Sequence, residues 1–244
     1  MNALAHNAFT ESLNQMNALC PDPRAILVVS AHWTTHGSRV TAMDRPRTIY
    51  DFGNFPDELY RIAYPAPGDP KVAERITQVV RTVKVEKDLH SWGLDHGSWT
   101  VLRHVFPEAK IPVLQLSIDL SLPPERHFEI GKDLAVLRED NILIVASGNI
   151  VHNLGLISWD ESASPYPWAA EFDRWVKESL VKRDFKALLH TYQEQESGRL
   201  SVPTEEHYFP LFYILGASDP SDTIDFRFEG IQNRSISMRT FALK

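Results

Sequence analysis

Two short runs, Ile26-Leu-Val-Val-Ser30 and Ile142-Leu-Ile-Val-Ala146, are continuously apolar, rich in β-branched residues and bounded by polar or turn-forming neighbours. Such runs are too short for ordinary helices, and side chains that are apolar on both sides of a strand must be covered on both faces of a sheet. The spacing also predicts strands over 25–30 and 111–118, and a helix from about Ala8 to Leu19 that ends before Pro21 and Pro23. Between the strands, Val72, Ile76, Val79, Val80 and Val83 recur at helical spacing, with Asp69 as the expected N-cap and Pro70 at the first helical position. Further helices are expected over 124–138, from Tyr166-Pro-Trp168 to about Lys182, and over 209–216. The segments 223–228 and 235–243 alternate like strands and are free to pair antiparallel. The fold class that follows is α/β, a single domain with a mixed, mostly parallel central sheet flanked by helices.

The chain has 244 residues, enough for one sizeable core, and no composition shift marks a linker. Its formal charge of -7 argues against nucleic acid as a partner, because such proteins concentrate Lys and Arg on one face. No stretch approaches the length of a membrane span and no leader precedes the first helix, so a cytoplasmic protein without a membrane partner is expected. Cys20 is the single cysteine, which excludes an internal disulfide and a thiolate zinc cluster. Any metal must be held by nitrogen and oxygen.

Four of the ten histidines stand in unusual company: Ser-Ala-His32-Trp, Asp-His96-Gly-Ser, Ile-Val-His152-Asn and Glu-Glu-His207-Tyr. His32 is expected just past the first apolar strand and His152 just past the later one, at the strand ends where α/β proteins keep their chemistry. Neutral imidazole suits iron, zinc, copper or nickel, whereas calcium and magnesium want oxygen clusters. Asp95 beside His96 can fix or charge its ring, or the segment can be a turn in which Ser98 caps the following helix. His36, His90, His104, His127 and His190 read as surface or packing residues. No Gly-x-Ser-x-Gly elbow and no phosphate-cradling glycine loop occurs, which sets aside a serine hydrolase and a nucleotide cofactor.

Seven motifs in one order carry a resemblance. They are Val28-Val-Ser-Ala-His32-Trp33, Thr48-Ile-Tyr-Asp51-Phe-Gly, Tyr64-Pro-Ala-Pro-Gly68, Trp92-Gly-Leu-Asp-His96-Gly-Ser-Trp99, Gly148-Asn-Ile-Val-His152-Asn153, Ser164-Pro-Tyr-Pro-Trp168 and Pro203-Thr-Glu-Glu-His207-Tyr208. The chain closely resembles the 4,5-DOPA extradiol dioxygenase family, a branch of the class III extradiol ring-cleaving dioxygenases, over its whole length.

The resemblance implies that residues 1–244 form one catalytic domain holding one Fe(2+) or Zn(2+). It matches His32, His152 and His207 to metal ligands and His96 to a histidine facing the substrate, with His96 or His152 as the catalytic base. Trp33, Trp92, Tyr166, Trp168 and Tyr208 can wall a catechol pocket, Trp33 and Tyr208 foremost, or can belong to the core. The implied partners are a catechol such as L-DOPA and O2. Family members carry, just ahead of a segment like Met1-Asn-Ala-Leu4, a strand ending in His-Gly-Ser-Pro whose histidine is a further ligand, so the resemblance implies a shortened domain. His6 lies near that position but has no strand to aim it. A zinc hydrolase and a catalytically impaired metal-binding relative are the alternatives. The number of subunits is not encoded in these patterns.

Overall fold

The structure, a computed structural model, describes residues 2–160 and 163–244. In chain order the elements are α1 (Ala8–Asn14), β1 (Ala25–Thr34), β2 (Ser38–Thr41), α2 (Pro70–Val79), β3 (Val85–Asp88), α3 (His96–Val105), β4 (Val113–Ile118), α4 (Pro124–Leu134), β5 (Ile142–Ser147), α5 (Pro167–Val181), α6 (Phe185–His190), α7 (Glu196–Ser201), α8 (Pro210–Ala217), β6 (Ile224–Phe228), β7 (Ile231–Gln232), β8 (Ile236–Ser237) and β9 (Thr240–Leu243). Five strands form the central sheet in the order β3-β2-β4-β1-β5. β1 pairs parallel with both β4 and β5, β2 pairs parallel with β3, and a single antiparallel pair, Val40 with Leu116, joins the two halves. The expected mixed, mostly parallel α/β sheet is therefore present. The closing strands do pair antiparallel, but as two separate hairpin sheets, β6 with β9 and β7 with β8.

Alternation along β1 divides the core. Ala25, Leu27 and Val29 join a cluster under α2, α4, α5 and α8, while Ile26 and Val28 join a second cluster under α1 and α3. All five are fully buried, as a strand covered on both faces requires. Asp69 accepts from the N–H groups of Lys71 and Val72 and caps α2 as expected. The first helix stops at Asn14, and a tighter 3-10 turn covers Met16–Leu19, so the polar stretch Asn14-Gln15 breaks the expected longer helix. In the same way α4 gives way to a 3-10 turn over Ala135–Arg138.

β5 corrects one expectation. Its residues are apolar, yet only Ile142 is buried, because β5 is the edge of the sheet. Its outer flank opens on a cavity of about 510 Å3 lined by Phe9, Leu13, Ile144, Phe241 and Leu243, which reaches His207 at one end. No helix among the described residues is long and apolar enough to cross a membrane.

Two packing details generate predictions. His127 is fully buried on α4, with Nδ1 2.9 Å from the Tyr213 hydroxyl and Nε2 3.3 Å from the Leu122 carbonyl. The carbonyl can only accept, so Nε2 carries the proton and Nδ1 accepts from Tyr213. Burial pushes the ring down to about 4. The unfolded chain therefore binds a proton that the folded one refuses, and stability present above about pH 6.5 is lost as pH falls toward 4, by an amount on the order of 3 kcal/mol. Denaturant titrations across this range are expected to show at least that loss, since His152, His207 and His32 are lowered in the same direction, and His127→Gln is expected to reduce the slope by about one proton; an unchanged slope in the variant would locate the effect elsewhere.

Gly97, in the first turn of α3, lies against β1: a Cβ there would sit 2.6 Å from Ser30 Oγ and 2.8 Å from His32 Cδ2. Alanine normally gains up to about 1 kcal/mol over glycine inside a helix, but overpacking costs about 1–3 kcal/mol. Gly97→Ala is expected to lower the unfolding midpoint, and a variant as stable as the parent would show that α3 can shift without strain.

Candidate metal centre

β1 runs four residues beyond its expected end at Ser30, so His32 lies within the strand rather than after it. In-register pairing with β5 stops at Ser30 and Ser147, and the register with β4 breaks between Val29 and Thr34. His32 occupies that irregular stretch, where the ladder no longer dictates the backbone. On the other side of Ser147, the chain turns through Gly148, whose missing Cβ would meet the His207 carbonyl at 2.3 Å. Asn149 N–H donates to that carbonyl at 2.9 Å and His152 N–H to Ser201 O at 2.8 Å, while His152 also bridges Ile236 of β8. The last strands thus hold the loop that carries His152.

Four imidazoles meet at this rim. Ring centroids are 3.9 Å apart for His96 and His32, 5.1 Å for His32 and His207, and 3.4 Å for His207 and His152, the last pair stacked face to face. Potential ligand atoms fall in two adjoining groups, His32 with Asp51 and His96, and His152 with Glu206 and His207, each within 4.8 Å. The expected set His32, His152 and His207 straddles the two groups. His6 is exposed and belongs to neither.

Burial holds three of these imidazoles neutral. It lowers His32 first, with His96 adding to the effect; it takes His152 down to about 4; and it takes His207 well below the ordinary range, helped by His152, His32 and His96. Neutral rings are what a cation needs, since a protonated imidazole has no lone pair to offer. At His207 the donating nitrogen can be identified. Asn149 Nδ2 donates to Ser237 O at 2.7 Å, which fixes its amide and turns Oδ1 toward His207 Nδ1 at 3.3 Å. His207 Nδ1 therefore carries the hydrogen and Nε2 is free.

The helix carrying His96 starts one turn earlier than Ser98: Asp95 is the cap, accepting from Ser98 N–H at 3.0 Å. Asp95 does not hold the His96 ring. Fully buried, it takes hydrogen bonds from Ser30 Oγ, Ser98 Oγ and Gln115 Nε2 and pins α3 to β1 and β4. The carboxylate on His96 is instead that of Asp51, 45 residues away in sequence. Burial alone would push Asp51 upward, but hydrogen bonds from the His96 side chain and backbone, with the nearness of both rings, hold it below its ordinary range. Asp51, Asn149 and Glu206 all lie in the recognised motifs, yet spacing gave none of them a role.

Two expected substrate residues are core residues. Trp33 is 3% exposed and stacks on Trp92 at 5.7 Å, and Tyr208 is 1% exposed, packed on Tyr192 with its hydroxyl on the Leu188 carbonyl. Neither has surface to offer a ligand. The aromatic ring beside the imidazoles is Phe52, partly exposed and edge-on to His96 at 5.3 Å.

Comparison with known proteins agrees with this geometry. The family model for the catalytic LigB subunit of aromatic ring-opening dioxygenase matches residues 3–240. A protein of Escherichia coli (strain K12) called 4,5-DOPA dioxygenase extradiol is 48% identical over 240 residues, covering 98% of this chain and 89% of that one. Its namesake in Beta vulgaris is 37% identical over 202 residues, covering 80% and 74%. A crystal structure of an Escherichia coli K12 protein superposes with a TM-score of 0.85 at 44% identity, over 98% of this chain and 93% of that one. Sequence, fold and a rim of imidazoles converge, and the chain belongs to the LigB family of metal-dependent aromatic ring-opening dioxygenases.

Proposed function

We propose that the whole chain is one catalytic domain that opens catechols, L-DOPA among them, outside the diol with O2, using one Fe(II) held by His32, His152 and His207. The observation that carries this reading is the contiguous cluster of four imidazoles where β1 and β5 end. Relatives named 4,5-DOPA dioxygenase extradiol support the substrate class. A lone thiol needs no oxidising compartment, which suits the cytoplasm.

The donor set fits the metal. Nitrogen ligands without thiolates suit Fe(II), and three protein ligands leave coordination positions open. Bound there, iron would supply a common site for both catechol oxygens and O2 and a route for electrons between them; zinc has no redox chemistry. The remaining work falls to the protein. His96 accepts the proton that a catechol hydroxyl releases, Phe52 walls the ring, and burial limits water around the reacting oxygens. Asn149 keeps the His207 lone pair turned away from its own amide.

Protein loaded anaerobically with Fe(II) and then mixed with L-DOPA and O2 is expected to consume oxygen and form a yellow ring-opened product. Stoichiometric iron without oxygen uptake would overturn the reading, and hydrolytic activity with zinc alone would replace it. His32→Ala and His207→Ala are expected to lower iron content. His96→Ala is expected to keep its iron while kcat falls about 100 to 10,000-fold, the usual worth of a positioned base; full activity would remove His96 from the reaction.

A further inference from the structure

We infer that Asp51 is the positioning residue for the base side of this site: it takes Nδ1–H from His96 and leaves the Nε2 lone pair of that ring free as base. The inference rests on the functional reading above and adds a residue to it. Asp51 Oδ1 accepts the backbone N–H of His96 at 2.8 Å, and Oδ2 lies 2.9 Å from His96 Nδ1 and 3.3 Å from His32 Nδ1. An ionised carboxylate has no hydrogen to give, so a ring nitrogen facing it must carry one. A neutral imidazole carries only one, and Nε2 is then bare.

The Asp51–His96 contact, at 2.9 Å with the His96 backbone N–H on the other carboxylate oxygen, has the geometry of a charge-assisted hydrogen bond; the alternative, that Asp51, His32 and His96 hold an ion themselves, is separated by the iron content of Asp51→Asn. The placement of Asp51 also does not depend on its own carboxylate. Thr48 bridges Leu94, Ile49 N–H donates to the Leu94 carbonyl at 2.7 Å, and Trp99 Nε1 donates to the Ile49 carbonyl at 2.9 Å. These contacts carry the 48–51 segment to the start of α3 whatever residue stands at 51.

Asp51→Asn is therefore the informative change. Its carboxamide can keep Oδ1 on the His96 backbone N–H while its NH2 group faces Nδ1, which must then accept, so the hydrogen moves to Nε2 and the base is lost. Long-range proton–nitrogen correlation spectra of metal-free protein are expected to show Nδ1–H on His96 in the parent and Nε2–H on His96 in the variant. At saturating Fe(II), kcat is expected to fall about 100-fold or more with KM for the catechol changed less than about threefold. Adding Asp51→Asn to His96→Ala is expected to cost nothing further, since the first acts through the second.

Nε2–H on His96 of the parent protein would overturn the inference without any variant. So would a kcat within about threefold of the parent at full iron loading, losses that multiply in the double variant, or loss of iron as complete as in His32→Ala, which would make Asp51 a ligand. The tautomer is read without metal, so it stands or falls separately from ring cleavage. If Asp51→Asn does not fold, Asp51→Ser, which also removes the fixed acceptor, is expected to give mixed tautomers of His96; a single unchanged Nδ1–H form would overturn the inference.

Discussion

The in-register parallel pairing of β1 with β5 fixes where everything else in this molecule can stand. Six consecutive pairs, from Ala25 with Ile142 to Ser30 with Ser147, bring the two strands to an end at the same level. Both chains then leave the ladder together, one through His32 and the other toward His152, so two segments more than a hundred residues apart deliver imidazoles to one rim. The third element is locked to the same level. Ser147 Oγ donates to the Gly97 carbonyl at 2.7 Å, and Ser30 Oγ donates to Asp95 at 2.8 Å. A one-residue slip between β1 and β5 would turn every side chain of one strand to the opposite face and break both links at once.

Two carboxylates beside the imidazoles show how environment assigns work. Asp95 has no exposed surface and is surrounded by hydroxyl, amide and backbone donors from three elements, an arrangement in which removing one partner commonly costs about 1–3 kcal/mol because a buried acceptor is left unsatisfied. It is a clamp. Asp51 is partly exposed and, among the described residues, has only His96 and His32 as side-chain partners. Both carboxylates stand at the N-terminus of α3, where the helix favours negative charge. The same residue type therefore clamps the scaffold at one position and faces the imidazole rim at the other.

The sequence made much of this legible, for identifiable reasons. Strands β1 and β5 were readable as apolar, β-branched runs, although β5 is only partly covered, β4 because Val113, Leu114, Leu116 and Ile118 dominate it, and α2 because Asp69 and Pro70 announce its start. β2 and β3 were missed: Ser38–Thr41 and Val85–Asp88 are four residues each, carry charges, and become strands only by pairing with one another. The short helices α6 and α7 lack an apolar stripe long enough to show a period. The histidines stood out through their neighbours, but the partner of His96 did not. Asp95 is adjacent in sequence and turns away, while Asp51 is brought in by a backbone bridge that no local pattern encodes. Trp33 and Tyr208 failed as pocket residues for the complementary reason: an aromatic beside a ligand histidine is as well placed to fill the core behind it as to face a substrate.

The closing hairpins, which add nothing to the central sheet, reach the same rim by another route. Arg239 and Ser237 both hydrogen bond to Asp173 on α5, and Arg239 also pairs with Glu229, its own side chain only 4% exposed. Ser237 N–H in turn donates to the Val151 carbonyl, and Ile236 bridges His152. A buried guanidinium is costly unless fully paired, and here the pairing runs from a core helix through β8 to the backbone of the loop that carries His152. Loops beside a site are ordinarily its most mobile part. This one is held on both sides, by β5 and the His207 carbonyl through Gly148 and Asn149 and by α5 through Asp173, so the stacked rings of His152 and His207 are positioned by the scaffold before any ligand arrives.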